Sequence, residues 1–88
     1  MSVINAMENV VKHYFSEFEE RQYLKCNCEH CKNDILAIAL NQLPSKYVST
    51  AIGEVYMKTL MMDKQVESDV LKEITNAAMI VEKNPHHN

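Results

Sequence analysis

Turn-forming residues are scarce in this chain: it has one Gly and two Pro, and no Trp, among 88 residues. With Ala, Met, Leu, Glu and Lys throughout, that scarcity points to helix. A single glycine cannot build the Gly-rich loop that cradles phosphates, nor the glycine-rich turns that commonly form an oxyanion hole. A nucleophilic enzyme is therefore poorly supported, because an activated cysteine would still need a base and such a hole. No stretch approaches the roughly 18 apolar residues needed to span a bilayer. Basic excess is missing too, with a net charge of −3 and a pI of about 5.7. This argues against duplex DNA or RNA as partner and against a polybasic membrane anchor. A smaller anion could still bind at a local basic patch or a helix N-terminus. Repeats and low-complexity segments are absent. The segment Met1–Asn9 has no basic n-region, so no secretory signal is expected.

Apolar residues make up 47% of the chain, enough for a globular fold. At this length one domain over residues 1–88 is expected, with 82–88 as a flexible tail. A monomer this small buries only somewhat over 60% of its unfolded surface, so a metal or oligomerisation is a natural supplement.

The spacing of apolar residues predicts a first helix from Ser2, as N-cap, to about Tyr23. Val3, Ile4, Met7, Val10, Val11, Tyr14, Phe15 and Phe18 make one face, a candidate dimer surface as well as a core face. A second helix is expected from about Glu29 to Leu43, stopped by Pro44. Its low polarity suggests the central buried helix, and Ser45 is expected to cap a further turn through Lys46–Val48. Residues 49–58 alternate around Gly53 and read as a loop, or a short extended arm, leading into helix. A last helix is expected from about Thr59 to Glu82, with a seam of Met62, Val66, Val70, Ile74, Ala77 and Val81. Met57, Met61, Met62 and Met79 read as core filler rather than an interaction groove. The fold class is thus all-α: long first and last helices around a central buried helix, in an intertwined helical homodimer.

All three cysteines fall in Cys26-Asn27-Cys28-Glu29-His30-Cys31, at the start of the second helix. Thiolates are ligands zinc prefers, and a structural site takes four N or S donors. The helix N-terminus favours thiolate at Cys28 or Cys31. A second C-x-x-C or a well-spaced His pair is lacking. Candidates for the fourth donor are His30, His13, His86 and His87 and, after them, an acidic side chain such as Glu82. Three reduced cysteines without a secretion signal suit a cytosolic protein. Cys28 to Cys31 is formally C-x-x-C, but redox enzymes carry that motif in a βαβ setting.

From Cys26 to Tyr47 the chain resembles the late-competence ComFB family of small bacterial proteins. The resemblance rests on the cysteine cluster followed by Asn33-Asp34-Ile35-Leu36-Ala37, then Ala39-Leu40-Asn41-Gln42-Leu43-Pro44 and Tyr47-Val48. Asp63-Lys64-Gln65 and the last helix fit more loosely. The resemblance implies an all-helical homodimer, not an enzyme, related to genes for DNA uptake. It implies zinc held by cysteines in some members, and receptors for cyclic dinucleotides in others. On that basis metal ligation falls to Cys26, Cys28 and Cys31, and the alternatives for the fourth place are a substitute from the tail, His86 or His87, or a metal that is weak or absent. A ligand such as cyclic di-GMP or cyclic di-AMP would meet Asp34, Asn41, Lys46 and Tyr47. Tyr can stack on a base, Lys can meet a phosphate, and Asp can accept from a guanine edge. One departure matters: zinc-binding relatives carry a fourth cysteine after an Ala-Ala pair near the end of the last helix. Here Ala77-Ala78 is followed by Met79-Ile80-Val81, so the family's full ligand set cannot form. The alternatives are a structural zinc adaptor that recognises another protein and, at a lower prior, a thiol-redox protein.

Overall fold

A computed structural model of the chain describes residues 3–21 and 28–84. It contains a short strand β1 (Val3–Asn5), helix α1 (Ala6–Arg21), helix α2 (Glu29–Asn41), strand β2 (Tyr47–Ser49), helix α3 (Thr50–Met62) and helix α4 (Lys64–Lys83). The helical class expected from composition is present, with a two-stranded ribbon added.

The ribbon pairs the strands antiparallel, with Val3 opposite Ser49, Ile4 opposite Val48 and Asn5 opposite Tyr47. Val3 and Ile4 therefore belong to a strand rather than to the first helix. Asn5 makes the change of geometry possible. Its Oδ1 accepts from the Met7 N–H at 3.2 Å, as a helix cap does, and from the Lys46 N–H at 2.9 Å. The Ala6 N–H donates to the Lys46 carbonyl at 2.7 Å. Residues Lys46–Val48 consequently run extended, and the helical turn expected there does not form. Ser2, the expected cap, lies outside the described residues.

Beyond Asn5 the helical period holds. Met7, Val10, Val11, Tyr14 and Phe15 are buried within the chain's own core, against α2, α3 and α4. The stripe expected to offer a dimer surface is thus largely covered by the same chain.

α2 buries Cys31, Ile35 and Ala39 at four-residue spacing and half-buries Leu36, Ile38 and Leu40. α1 and α4 bury six and five residues to the three of α2, and the most extensive helix pairing is that of α2 with α4. α2 ends one residue short of a turn in which the Gln42 and Leu43 N–H groups reach the Ala39 and Leu40 carbonyls. Pro44 follows, as its geometry requires.

The stretch around Gly53 is helix, not loop. Gly53 faces the ribbon, where an added Cβ would stand 3.6 Å from Val48 Cγ2 and 4.0 Å from Ile4 Cδ1. Both are ordinary contact distances and its φ is negative, so neither the space nor the backbone there requires glycine. The expected long last helix is two helices. Asp63 breaks it by leaving helical geometry (φ −82°, ψ 115°) and capping α4, its Oδ1 accepting from the N–H groups of Gln65 at 2.9 Å and Val66 at 3.3 Å. The seam expected from Met62 to Val81 survives from Val66 onward, with Val70, Ile74, Ala77, Ala78 and Val81 buried. Met62 falls before the break and is exposed.

One hydrogen bond ties α1 to the end of α3: the Tyr14 hydroxyl donates to the Met61 carbonyl at 3.1 Å. That carbonyl is among the last of α3, where no further helical N–H is available to it.

Candidate functional site

The cysteine segment opens α2. Cys28 is the residue before the helix, extended at φ −71° and ψ 164°, and its carbonyl accepts from the Lys32 N–H at 3.0 Å. It is half-buried, whereas Cys31, one turn on, is part of the hydrophobic core. Both thiols stand in the first turn, where unshared backbone N–H groups and the helix dipole favour negative charge. That is the chemistry a thiolate ligand needs. Core packing is the competing use of Cys31, since a thiol also serves as a small hydrophobe. Lys32 pairs with Glu19 near the end of α1 at 2.9 Å, so the segment joining α1 to α2 is bracketed by an ion pair. The hydrogen bond that Lys32 donates to Glu19, then the charge of Glu19, raises the Lys32 pKa.

Of the five residues expected to hold a metal, Cys26, His86 and His87 lie outside the described residues. Among the described residues no group of three or more His, Cys, Asp or Glu side chains is placed to hold a metal ion. His13 is half-exposed and lies 3.2 Å from Glu17 on its own helix, and His30 is exposed.

α2 and α4 run antiparallel, which brings the end of α4 beside the N-terminal half of α2. Asp34, Ala37 and Ile38 share a cleft of about 240 Å³ with Ile80, Val81 and Asn84. A second cleft of about 380 Å³ continues toward Gln42 and Glu73, with Ile38 and Ile80 common to both. The positions after Ala77-Ala78 therefore face α2 in part: Val81 is buried in this region while Met79 and Ile80 are half-exposed.

The four residues expected to bind a nucleotide are only partly brought together. Asp34 lines the α2–α4 cleft and is half-buried. Asn41, seven residues on, ends α2 roughly 10 Å farther along the axis at 1.5 Å per residue. Lys46 and Tyr47 follow through the turn. The Lys46 backbone is committed to Asn5 and Ala6, and the Tyr47 side chain is 67% exposed, which leaves the ring available for stacking.

Between β1 with the start of α1 and one side of α3 lies a groove of about 600 Å³, walled by Ile4, Met57, Met61 and Met62 and edged by Asn9 and Lys58. The methionines expected to fill the core thus line its surface in part. Three-and-four-residue spacing within 50–62 was the available signal, hidden by the alternation around Gly53.

Among the described residues no helix is long and apolar enough to cross a membrane. The architecture defines a small helical protein with a terminal ribbon and a cysteine-led second helix. The sequence model described as "Late competence development protein ComFB" matches residues 4–85, and the chain belongs to that family. It is 29% identical over 83 residues to the Competence protein ComFB of Bacillus subtilis (strain 168), covering 94% of this chain and 85% of that one. A solved structure, "Structural characterization of the late competence protein ComFB from Bacillus subtilis", matches with a TM-score of 0.84 at 28% identity, covering 97% of this chain and 96% of that one.

Proposed function

We propose that this chain is a non-enzymatic, cytosolic, homodimeric regulatory protein. Its cysteine segment holds zinc, and it responds to a small anionic signal of the cyclic dinucleotide class, cyclic di-GMP or cyclic di-AMP. The supporting observation is the antiparallel seating of α4 on α2. It sets Asn84 beside Asp34, one turn beyond Cys31. The chain after Asn84 leads to His86 and His87 within two or three residues, each adding at most about 3.6 Å. Histidine nitrogen is a good zinc ligand and stands in for the cysteine that relatives carry after the Ala-Ala pair. In this reading Cys26, Cys28, Cys31 and a tail histidine form the metal set. Tyr47 and Lys46 supply stacking and charge to a nucleotide, with Asn41 adjoining and Asp34 reached from the cleft side. The half-exposed Met79 and Ile80 favour a second reading, a zinc adaptor that seats another protein on the α2–α4 cleft.

Metal analysis of protein purified without chelator should find close to one zinc per chain, reduced sharply in a His86→Ala/His87→Ala variant. Zinc far below that level, or unchanged in the variant, rejects the mixed ligand set. Calorimetry with each cyclic dinucleotide, on wild type and Tyr47→Ala, should give heat that the substitution abolishes. Silence with both nucleotides removes the receptor reading and leaves the adaptor.

A further inference from the structure

Cys28 and Cys31 hold two defined places on one turn. Cys28 is the N-cap of α2, in the extended region at φ −71° and ψ 164°, and Cys31 is the third helical residue. The Cys28 carbonyl accepts from the Lys32 N–H at 3.0 Å, which closes the first turn and sets the Cys28 Cα on the helical path. A step of three residues along a helix separates Cα atoms by about 5 Å. A disulfide spans Cα separations of about 4.4–6.8 Å. An N-cap side chain also leans over the first turn, toward the third residue. Bridging these two sulfurs therefore asks for side-chain rotation and leaves the helix in place. The two thiols differ in access. Cys28 is half-buried at the edge of the core, whereas Cys31 is 1% exposed within it. An outer thiol that an oxidant reaches, backed by an inner one that resolves the adduct, is the arrangement of a redox-responsive pair.

We propose that Cys28 and Cys31 are a reversible dithiol–disulfide pair whose oxidant is a low-molecular-weight disulfide. The Cys28 sulfur attacks one sulfur of the oxidant and expels the other half as a thiol. The Cys31 sulfur then attacks Cys28 Sγ of the mixed disulfide, expels the second thiol and closes the bridge. Two cysteine thiols are oxidised, one external disulfide is reduced, and both cysteine protons leave on the two thiols released. This goes beyond the metal reading and does not rest on it. A closed bridge withdraws two thiolates from zinc, so the bridged and metal-bound states exclude each other. A bridge within one turn closes too short a loop to add much stability, which suits a switch better than a staple.

The test is oxidation of the reduced, full-length protein by oxidised glutathione, with a chelator present so that bound metal does not shield the thiols. Remaining thiols are alkylated and the chain is cut after lysine. Wild type should keep one reactive thiol of three, and fragmentation of peptide 26–32 should place the alkyl group on Cys26. Dithiothreitol should restore all three. Cys26→Ser should still close the bridge, read as a mass lower by two hydrogens. Cys26→Ser/Cys31→Ala should stop at a stable glutathione adduct on Cys28. Cys26→Ser/Cys28→Ala should react roughly tenfold more slowly, since its one thiol lies in the core. Circular dichroism checks helix content, and if a double variant does not fold, wild type and Cys26→Ser decide. An alkyl group surviving on Cys28 or Cys31 in wild type, or a Cys26→Ser protein that stays reduced or gathers adducts without closing, overturns the pair. A Cys31 thiol as reactive as that of Cys28 overturns the roles assigned to them. Zinc content, measured separately, decides the metal reading whichever way this falls.

Discussion

α3 and α4 are neighbours separated by one residue, Asp63, and they solve the same problem differently. α4 places Val70, Ile74, Ala77, Ala78 and Val81 inward and presents Lys72, Thr75, Asn76 and Lys83 outward. Its hydrophobic stripe matches the surface that α1 and α2 provide. α3 has apolar residues on both sides, and the chain covers only one of them. Burial contributes about 25 cal/mol per Å² of apolar area removed from water. α4 therefore realises most of its folding energy within one chain, and α3 leaves Ile52, Val55 and Met62 in contact with water. Similar helical propensity in adjacent segments says little about where a molecule is complete.

The comparison is broken most forcefully by equal truncations in the two helices. Ile74 is fully buried, and Ile74→Ala should cost about 2–5 kcal/mol in chemical denaturation. Ile52→Ala, at an exposed site, should stay within about 0.5 kcal/mol for dilute, monomeric protein. Equal losses at the two sites would mean that α3 is already covered.

A smaller effect is expected where α1 holds the end of α3. Tyr14→Phe removes the hydroxyl that bonds Met61 and should cost about 1 kcal/mol. Burial first, then the charges of Glu67 and Glu17, raises the Tyr14 pKa. The folded state thus holds the phenolic proton more tightly than the unfolded state. Its contribution is complete below the ordinary tyrosine value of 10.0 and is lost as pH rises through the higher folded value. Thermal melts of wild type against Tyr14→Phe across that alkaline range should show the wild-type advantage shrinking. A constant difference would detach the hydroxyl from the alkaline response.

The smallest expected effect is a gain. Gly53→Ala adds a methyl at ordinary contact distance from Val48 and Ile4 in a helix interior. It should stabilise by about 0.5–1 kcal/mol in the same denaturation assay. A loss would mean that the ribbon and α3 are packed more tightly than the distances indicate.

Legibility in the sequence followed how local each determinant is. The inward faces of α1 and α4 were readable because their period is helical and their partners lie along the same chain. Val3 and Ile4 fit that period equally well. Only pairing with Tyr47–Ser49, far along the chain, moved them to a strand. The break at Asp63 had a local signal, a capping acid before a new apolar period, but Met62 prolonged the pattern across it. Residues 50–62 misled most, because a helix apolar on both sides shows little contrast between its faces. The cysteine cluster was legible as chemistry, and the structure adds the placement of Cys28 and Cys31 on the first turn of α2. Asp34 and Tyr47 could not be ordered in space from spacing alone. That required the direction of α2 and the extended return of the chain after Pro44.

The double acceptance at Asn5 bears on how the chain reaches its native state. The same side-chain oxygen starts α1 and holds a backbone N–H 41 residues away. Initiation of the first helix is thereby linked to closure of a long loop, whose entropy must be met before the contact contributes. The cap of α1 and the seating of β2 therefore share one oxygen, and loss of the Asn5 side chain removes both at once.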